Sequence, residues 1–205
     1  MKTLARMLAD SEPPTPTAGG KTGGLHTMNH QSQIEIRAAR LYVSPRTRAL
    51  TPDEAETRRI AYAIKSLDCP TGMLETAAKE IAAMLWQPCN LIPVPSHTGD
   101  TRANLRLCKL IAAKTTGAQV RDILTRTAPV ESQCQRHRAA QGRTAPSAHH
   151  IARKAGSWID ALPSFLVDNV ATSGNTLQAC YEALHFGTGL VFADAAHNPR
   201  SHFVF

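Results

Sequence analysis

The chain's 205 residues, 42% of them hydrophobic, suffice for one good-sized core rather than several. Its 23 Lys and Arg against 16 Asp and Glu give a net charge of +7, which suits a polyanionic small molecule, a nucleic acid or simply a solvated basic face, so charge alone does not choose among them. Five scattered cysteines without a C-x-x-C pair argue for reduced thiols in a cytoplasm rather than a disulfide framework or a zinc site.

Met1 to Ala9 is only briefly apolar before Asp10, Glu12 and three prolines interrupt it, so it does not read as a secretion signal. No later apolar run approaches the ~18 residues of a membrane span, and no membrane partner is expected. Residues 10 to 33 are rich in Pro, Thr, Gly, Ser and Gln and lack apolar periodicity. Residues 1 to 33 therefore read as a flexible leader, with Met28 a candidate natural start, and 34 to 205 as the folded domain.

Ile34, Ile36, Leu41 and Val43 predict a strand. At Thr51-Pro52-Asp53-Glu54 a helix should begin: Thr51 can cap, Pro52 fits the first turn and Glu54 stands three residues after the cap. Ile60, Ile64 and Leu67 then share one face. Pro70 and Gly72 break the chain, and Leu74, Ala77, Ala78, Ile81 and Leu85 mark a second amphipathic helix. The run from Asn90 to Pro95 is a short buried strand ended by its prolines. A third helix carries Ala103, Leu107, Leu110 and Ile111, with Gly117 as its expected C-cap, and Gln119 to Leu124 is a further strand. Residues 125 to 150 are polar and basic, too long for an ordinary βα connection, hence either disordered or a functional loop. His137, His149 and His150 lie there without Cys or carboxylate partners at ligand spacing, so no metal site is expected.

Phe165, Leu166 and Val167 form the unbroken apolar run of a strand buried on both faces. Asp168 and Asn169 fall at its expected end, where open α/β sheets bind ligands. Thr172, Ser173, Gly174, Asn175 and Thr176 then supply hydroxyls, successive N–H groups and one residue free to take a positive φ. A helix follows, with Leu177, Cys180, Tyr181 and Leu184 at helical spacing; Gly187 should stop it before a last strand over Gly189 to Ala193. Strand, hydroxyl-bearing glycine turn and helix N-terminus together suit an anion, and the acidic and amide pair suits sugar hydroxyls, which suggests a ribose 5-phosphate. Helices alternate with strands throughout. The expected fold is α/β, a mostly parallel sheet flanked by helices.

From Phe165 to Thr176 the chain resembles the phosphoribosyl-pyrophosphate (PRPP) motif of type I phosphoribosyltransferases, an apolar strand, two acids, two apolar residues and Thr-Thr/Ser-Gly-x-Thr. Asn169 stands where that family usually has its second acid. Pro93, Val94 and Pro95, followed by Arg102 and Asn104, extend the likeness to ComF-type members, though their Arg-Gly-x-Asn element is one residue shorter here and lacks its glycine. Lys65 also matches a lysine common in that group. The likeness covers roughly residues 55 to 195 and does not include the group's four-cysteine zinc module.

The resemblance implies a type I phosphoribosyltransferase-like fold and a set of roles. Thr172, Ser173, Gly174, Asn175 and Thr176 would hold the 5-phosphate, and Asp168 and Asn169 would hold the ribose as the catalytic pair. Ser96, His97, Thr98 and Arg102 would meet pyrophosphate, and a mobile loop would bring Gln133 and Arg136. Mg²⁺ would arrive with PRPP, held mainly through that ligand. The acceptor would be a nitrogen nucleophile, and Thr172, where purine-salvage members place an Asp, speaks against hypoxanthine–guanine salvage. Three functions of different class follow: an active transferase, a PRPP- or nucleotide-binding regulator, and a ComF-like protein of DNA uptake or mobile elements. No motif encodes oligomeric state, and a homodimer stays open.

Overall fold

The computed structural model describes residues 33–45, 48–131 and 145–195. In chain order these form β1 (Ile36–Tyr42), α1 (Pro52–Ala63), α2 (Thr71–Ala82), β2 (Asn90–Pro93), α3 (Arg102–Ala112), β3 (Gln119–Val120) and β4 (Leu124–Arg126). A 3-10 turn (Pro146–His149), β5 (Ile151–Arg153), β6 (Ser164–Ala171), α4 (Asn175–Leu184) and β7 (Thr188–Ala195) complete them. Five strands lie side by side in the order β1-β7-β6-β2-β3, and every pairing among them is parallel. The fold is α/β, with helices on both faces of the sheet.

Alternation along the central strands explains their unbroken apolar runs. Leu91, Phe165, Val167, Leu190 and Phe192 pack against α1, α2 and α3, whereas Ile92, Leu166 and Val191 pack against α4 and the β4 region. Successive strand residues point to opposite faces, so a strand covered on both sides must be apolar at each position. The four described cysteines, Cys69, Cys89, Cys108 and Cys180, are buried and unpaired. Burial pushes the Cys108 and Cys180 thiols up, keeping them protonated and unreactive.

Helix α1 begins as its sequence predicts. Thr51 Oγ1 accepts the Glu54 N–H at 3.3 Å, and the Thr51 N–H donates to Glu54 Oε2 at 2.9 Å. Thr51→Ala should lower stability by about 1 kcal/mol, read by urea denaturation; an unchanged midpoint would mean water caps this helix equally well.

Several expectations shift. The helix ends at Ala63, so Ile60 and Ile64 are buried while Leu67, on the following turn, is 39% exposed; Cys69 fills the core there instead. Helix α3 ends at Ala112 with Ala113 as its cap, four residues before Gly117. Gly117 has φ +75°, and a Cβ there would stand 3.0 Å from Pro88 Cβ, so its glycine serves the turn into β3. Likewise His185, at φ 63°, rather than Gly187, caps α4.

The strand expected over residues 119 to 124 is two strands. Gln119–Val120 continues the main sheet beside β2, and Leu124–Arg126 pairs antiparallel with β5 in a separate ribbon. Between them the Ile123 N–H folds back to the Arg121 carbonyl at 3.0 Å, and buried Ile123 and Leu124 join the α4 side of the core. Burial of those two apolar residues outweighs continued sheet pairing.

The connections run in opposite senses from the centre of the sheet. β2 leads through α3 to β3 on one side, and β6 leads through α4 to β7 on the other. The crevice outside the carboxyl ends of β2 and β6 is therefore the topological switch point, the position where open α/β sheets bind ligands.

Candidate functional site

Prolines open this crevice. Pro93 pairs with Val167, and the Val94 N–H donates to the Val167 carbonyl at 3.0 Å, after which Pro95 has no N–H to offer. Strand β6 runs on alone beside β7, with Asp168 opposite Val191 and Ala171 opposite Asp194. Asp168 and Asn169 thus lie within β6, not at its end, and Asp168 borders the edge that β2 has vacated.

A single amide ties the two strands together there. Asn104, buried in the first turn of α3, donates from Nδ2 to the Val94 carbonyl at 2.8 Å and to Asp168 Oδ1 at 3.1 Å. The same Oδ1 accepts the Asn169 N–H at 2.8 Å. Burial pushes the Asp168 carboxyl above the usual carboxylate range, against the Asn169 N–H, Asn104 and the charges of Lys65 and Arg126.

Asn169 turns to the opposite face. Its side chain is buried, and Nδ2 donates to the Ala61 carbonyl in the last turn of α1 at 3.3 Å. The alternation of a strand separates the two neighbours, so their side chains diverge.

The loop after β2 is a tight turn. The Gly99 N–H donates to the Ser96 carbonyl and the Ser96 N–H to the Asp100 carbonyl, each at 3.0 Å, with Gly99 at φ 91°. Ser96 Oγ and Thr98 Oγ1 are 2.9 Å apart, and His97 is exposed with its carbonyl accepting the Val130 N–H. Arg102 is exposed and held by Asp100, which accepts its backbone N–H at 2.8 Å and its Nη2 at 2.7 Å. The Arg102 guanidinium, then its N–H, keep the Asp100 carboxyl below the usual range.

Arg126, which sequence reading left within the basic loop, belongs to this site. From β4 it reaches back 30 residues, donating from Nε to the Ser96 carbonyl at 2.8 Å and from Nη2 to the Pro95 carbonyl at 3.5 Å. Its Nη1 donates to the His149 carbonyl. Arg126 is a clamp on the loop after β2. Asn104 is visible in the sequence as part of the Arg-x-Asn element, though without a role at the site, whereas Arg126, one arginine among several in the basic loop, carries no signal of its own.

The turn after β6 takes the expected form. Gly174 has φ 73°, and Ser173 Oγ accepts the Asn175 N–H at 3.4 Å. Thr172 is exposed, while Ser173, Asn175 and Thr176 are half-buried. The first N–H groups of α4 have no intrahelical acceptors and carry the positive end of its dipole. The 96–102 and 172–176 segments thus leave neighbouring parallel strands at the same edge. Gln133 and Arg136 lie outside the described residues.

No family model matches this chain, and no curated protein matches its sequence. Among the described residues no group of three or more His, Cys, Asp or Glu could hold a metal ion, and no helix is long and apolar enough to cross a membrane. What the site offers is one oriented, burial-strained carboxylate between two hydroxyl- and N–H-bearing turns.

Proposed function

We propose that this chain binds PRPP at the β2–β6 switch point and transfers its phosphoribosyl group to a nitrogen acceptor with release of pyrophosphate. One observation carries the reading: Asp168 stands between a glycine-bearing hydroxyl turn that opens a helix and a second such turn at the neighbouring strand. The 172–176 turn would take the 5-phosphate through N–H groups and hydroxyls. Asp168, aimed by Asn104, would hold the ribose hydroxyls. Ser96, His97, Thr98 and Arg102 would face pyrophosphate.

In the reaction the acceptor nitrogen forms a bond to C1 as the C1–O bond breaks, and the bonding pair leaves with pyrophosphate. Positive charge develops on the ribose, and the Asp168 carboxylate stabilises it without reorganisation. Asp168 is one carboxylate whose Oδ1 already accepts two hydrogen bonds, a donor set too small to hold Mg²⁺ alone. Any Mg²⁺ would therefore be held mainly through the bound ligand, with Asp168 beside it, and would supply neutralisation of leaving-group charge.

Asn169 favours a second reading, PRPP or nucleotide binding without turnover. Where the resembled family has a second acid, this chain has a neutral amide already donating to Ala61. Titration with PRPP, with and without Mg²⁺, tests both. Saturable binding should be lost in an Asp168→Ala, Thr176→Ala double variant, and pyrophosphate release across an acceptor screen separates enzyme from binder. No binding at millimolar PRPP would sink both readings.

A further inference from the structure

The two hydroxyl-bearing turns at the crevice differ in one respect. The 172–176 turn, Thr-Ser-Gly-Asn-Thr, contains no carboxylate, whereas the turn after β2 carries its own, Asp100. That carboxylate already holds donors that an arriving anion would need. Its Oδ1 accepts the backbone N–H of Arg102, the first residue of α3, at 2.8 Å. Its two oxygens also take the guanidinium, Nη2 donating to Oδ2 at 2.7 Å and Nε to Oδ2 and Oδ1 at 3.0 and 3.1 Å. Such a fork is the geometry in which arginine meets carboxylate and phosphate alike.

The pair stands close to the centre of the site. Two residues beyond Arg102, in the same helical turn, Asn104 donates to Asp168 Oδ1 at 3.1 Å. The backbone around the pair is held: the Ser96 N–H donates to the Asp100 carbonyl at 3.0 Å, and Arg126 Nε donates to the Ser96 carbonyl at 2.8 Å. The two side chains are less confined, Asp100 being 37% and Arg102 70% exposed. Separating them needs only side-chain rotation, and it forfeits only the small contribution of a solvent-exposed ion pair.

We propose that Asp100 is an internal counter-anion that latches Arg102, so that a diphosphate gains this arginine only by displacing the Asp100 carboxylate. This inference rests on the phosphoribosyl-transfer reading and adds a regulatory contact to that site. The chain itself occupies the second turn until a more highly charged anion takes over, and the 172–176 turn has no such competitor. Affinity at the second turn is reduced by the fraction of molecules in which Arg102 is free.

Calorimetric titration of inorganic pyrophosphate tests the latch, using the full-length protein and its Asp100→Asn, Arg102→Gln and doubly substituted forms. Mg²⁺ is left out, so that only the chain's own cations meet the anion. Asparagine keeps an oxygen for the Arg102 N–H, and thermal unfolding checks that each variant is folded. Asp100→Ser, with a hydroxyl acceptor, repeats the comparison should the amide unsettle the turn. Freed of its carboxylate, the protein should bind pyrophosphate about three- to ten-fold more tightly. Arg102→Gln should cost little in the native background and much more beside Asp100→Asn, so that the gain vanishes in the double variant. Equal or weaker binding by Asp100→Asn overturns the proposal, as does the absence of pyrophosphate binding from every folded form. A gain that persists without Arg102 also overturns it, because simple repulsion by a nearby charge then suffices. A separate PRPP titration of the unaltered protein keeps the two readings apart. The latch without PRPP binding leaves a gated anion site and removes the transferase, whereas PRPP binding without the gain does the reverse.

Discussion

Asp168→Asn is expected to raise stability at neutral pH while weakening PRPP binding by about 10- to 100-fold. The two effects share one cause. Burial lifts the folded pKa of Asp168, so the folded protein holds that proton more tightly than the unfolded chain, whose carboxylate titrates near ~3.9. The resulting stability is present below about pH 4 and is lost as pH rises through the folded value. Asparagine keeps an oxygen for the Asn104 amide and the Asn169 N–H but removes the buried charge. Unfolding of both proteins in urea from about pH 4 to pH 8 should therefore show a decline in the native protein that the variant lacks. Parallel profiles would mean that the hydrogen bonds and nearby cations outweigh burial. The loss in binding follows from replacing a charged acceptor by a neutral one, a difference of about 1 kcal/mol for each of the ribose hydroxyl hydrogen bonds it would accept.

Arg126→Ala should cost about 3 kcal/mol and disorder the loop after β2. It removes the donors to the Pro95, Ser96 and His149 carbonyls from a half-buried position, leaving acceptors that water reaches poorly. Lysine should rescue little, because one ammonium cannot reproduce a planar fork spread over three carbonyls. Hydrogen exchange should show faster exchange at the Ser96 and Gly99 N–H groups in the variant, beyond any change expected from global destabilisation. Unchanged exchange there would show that the loop's own turn hydrogen bonds suffice. Under the transferase reading, weakened PRPP binding should accompany the loss.

Local patterns in the chain already specify much of this protein. The capping residues Thr51 and Glu54, the apolar runs of β2, β6 and β7, and the glycine-bearing turn at 172–176 are written in neighbouring residues, because helix caps, strand burial and tight turns are set within a few positions. Alternation of helices and strands was enough to expect a parallel sheet. Only the tertiary structure decided which way Asp168 and Asn169 point, that β4 leaves the sheet, and that Asn104 and Arg126 join the site. Those outcomes rest on pairings between distant residues: Asn104 meets Asp168 across 64 positions, and Asn169 meets Ala61 across 108. Burial and hydrogen-bond satisfaction act between segments that only folding brings together, and no local pattern encodes them.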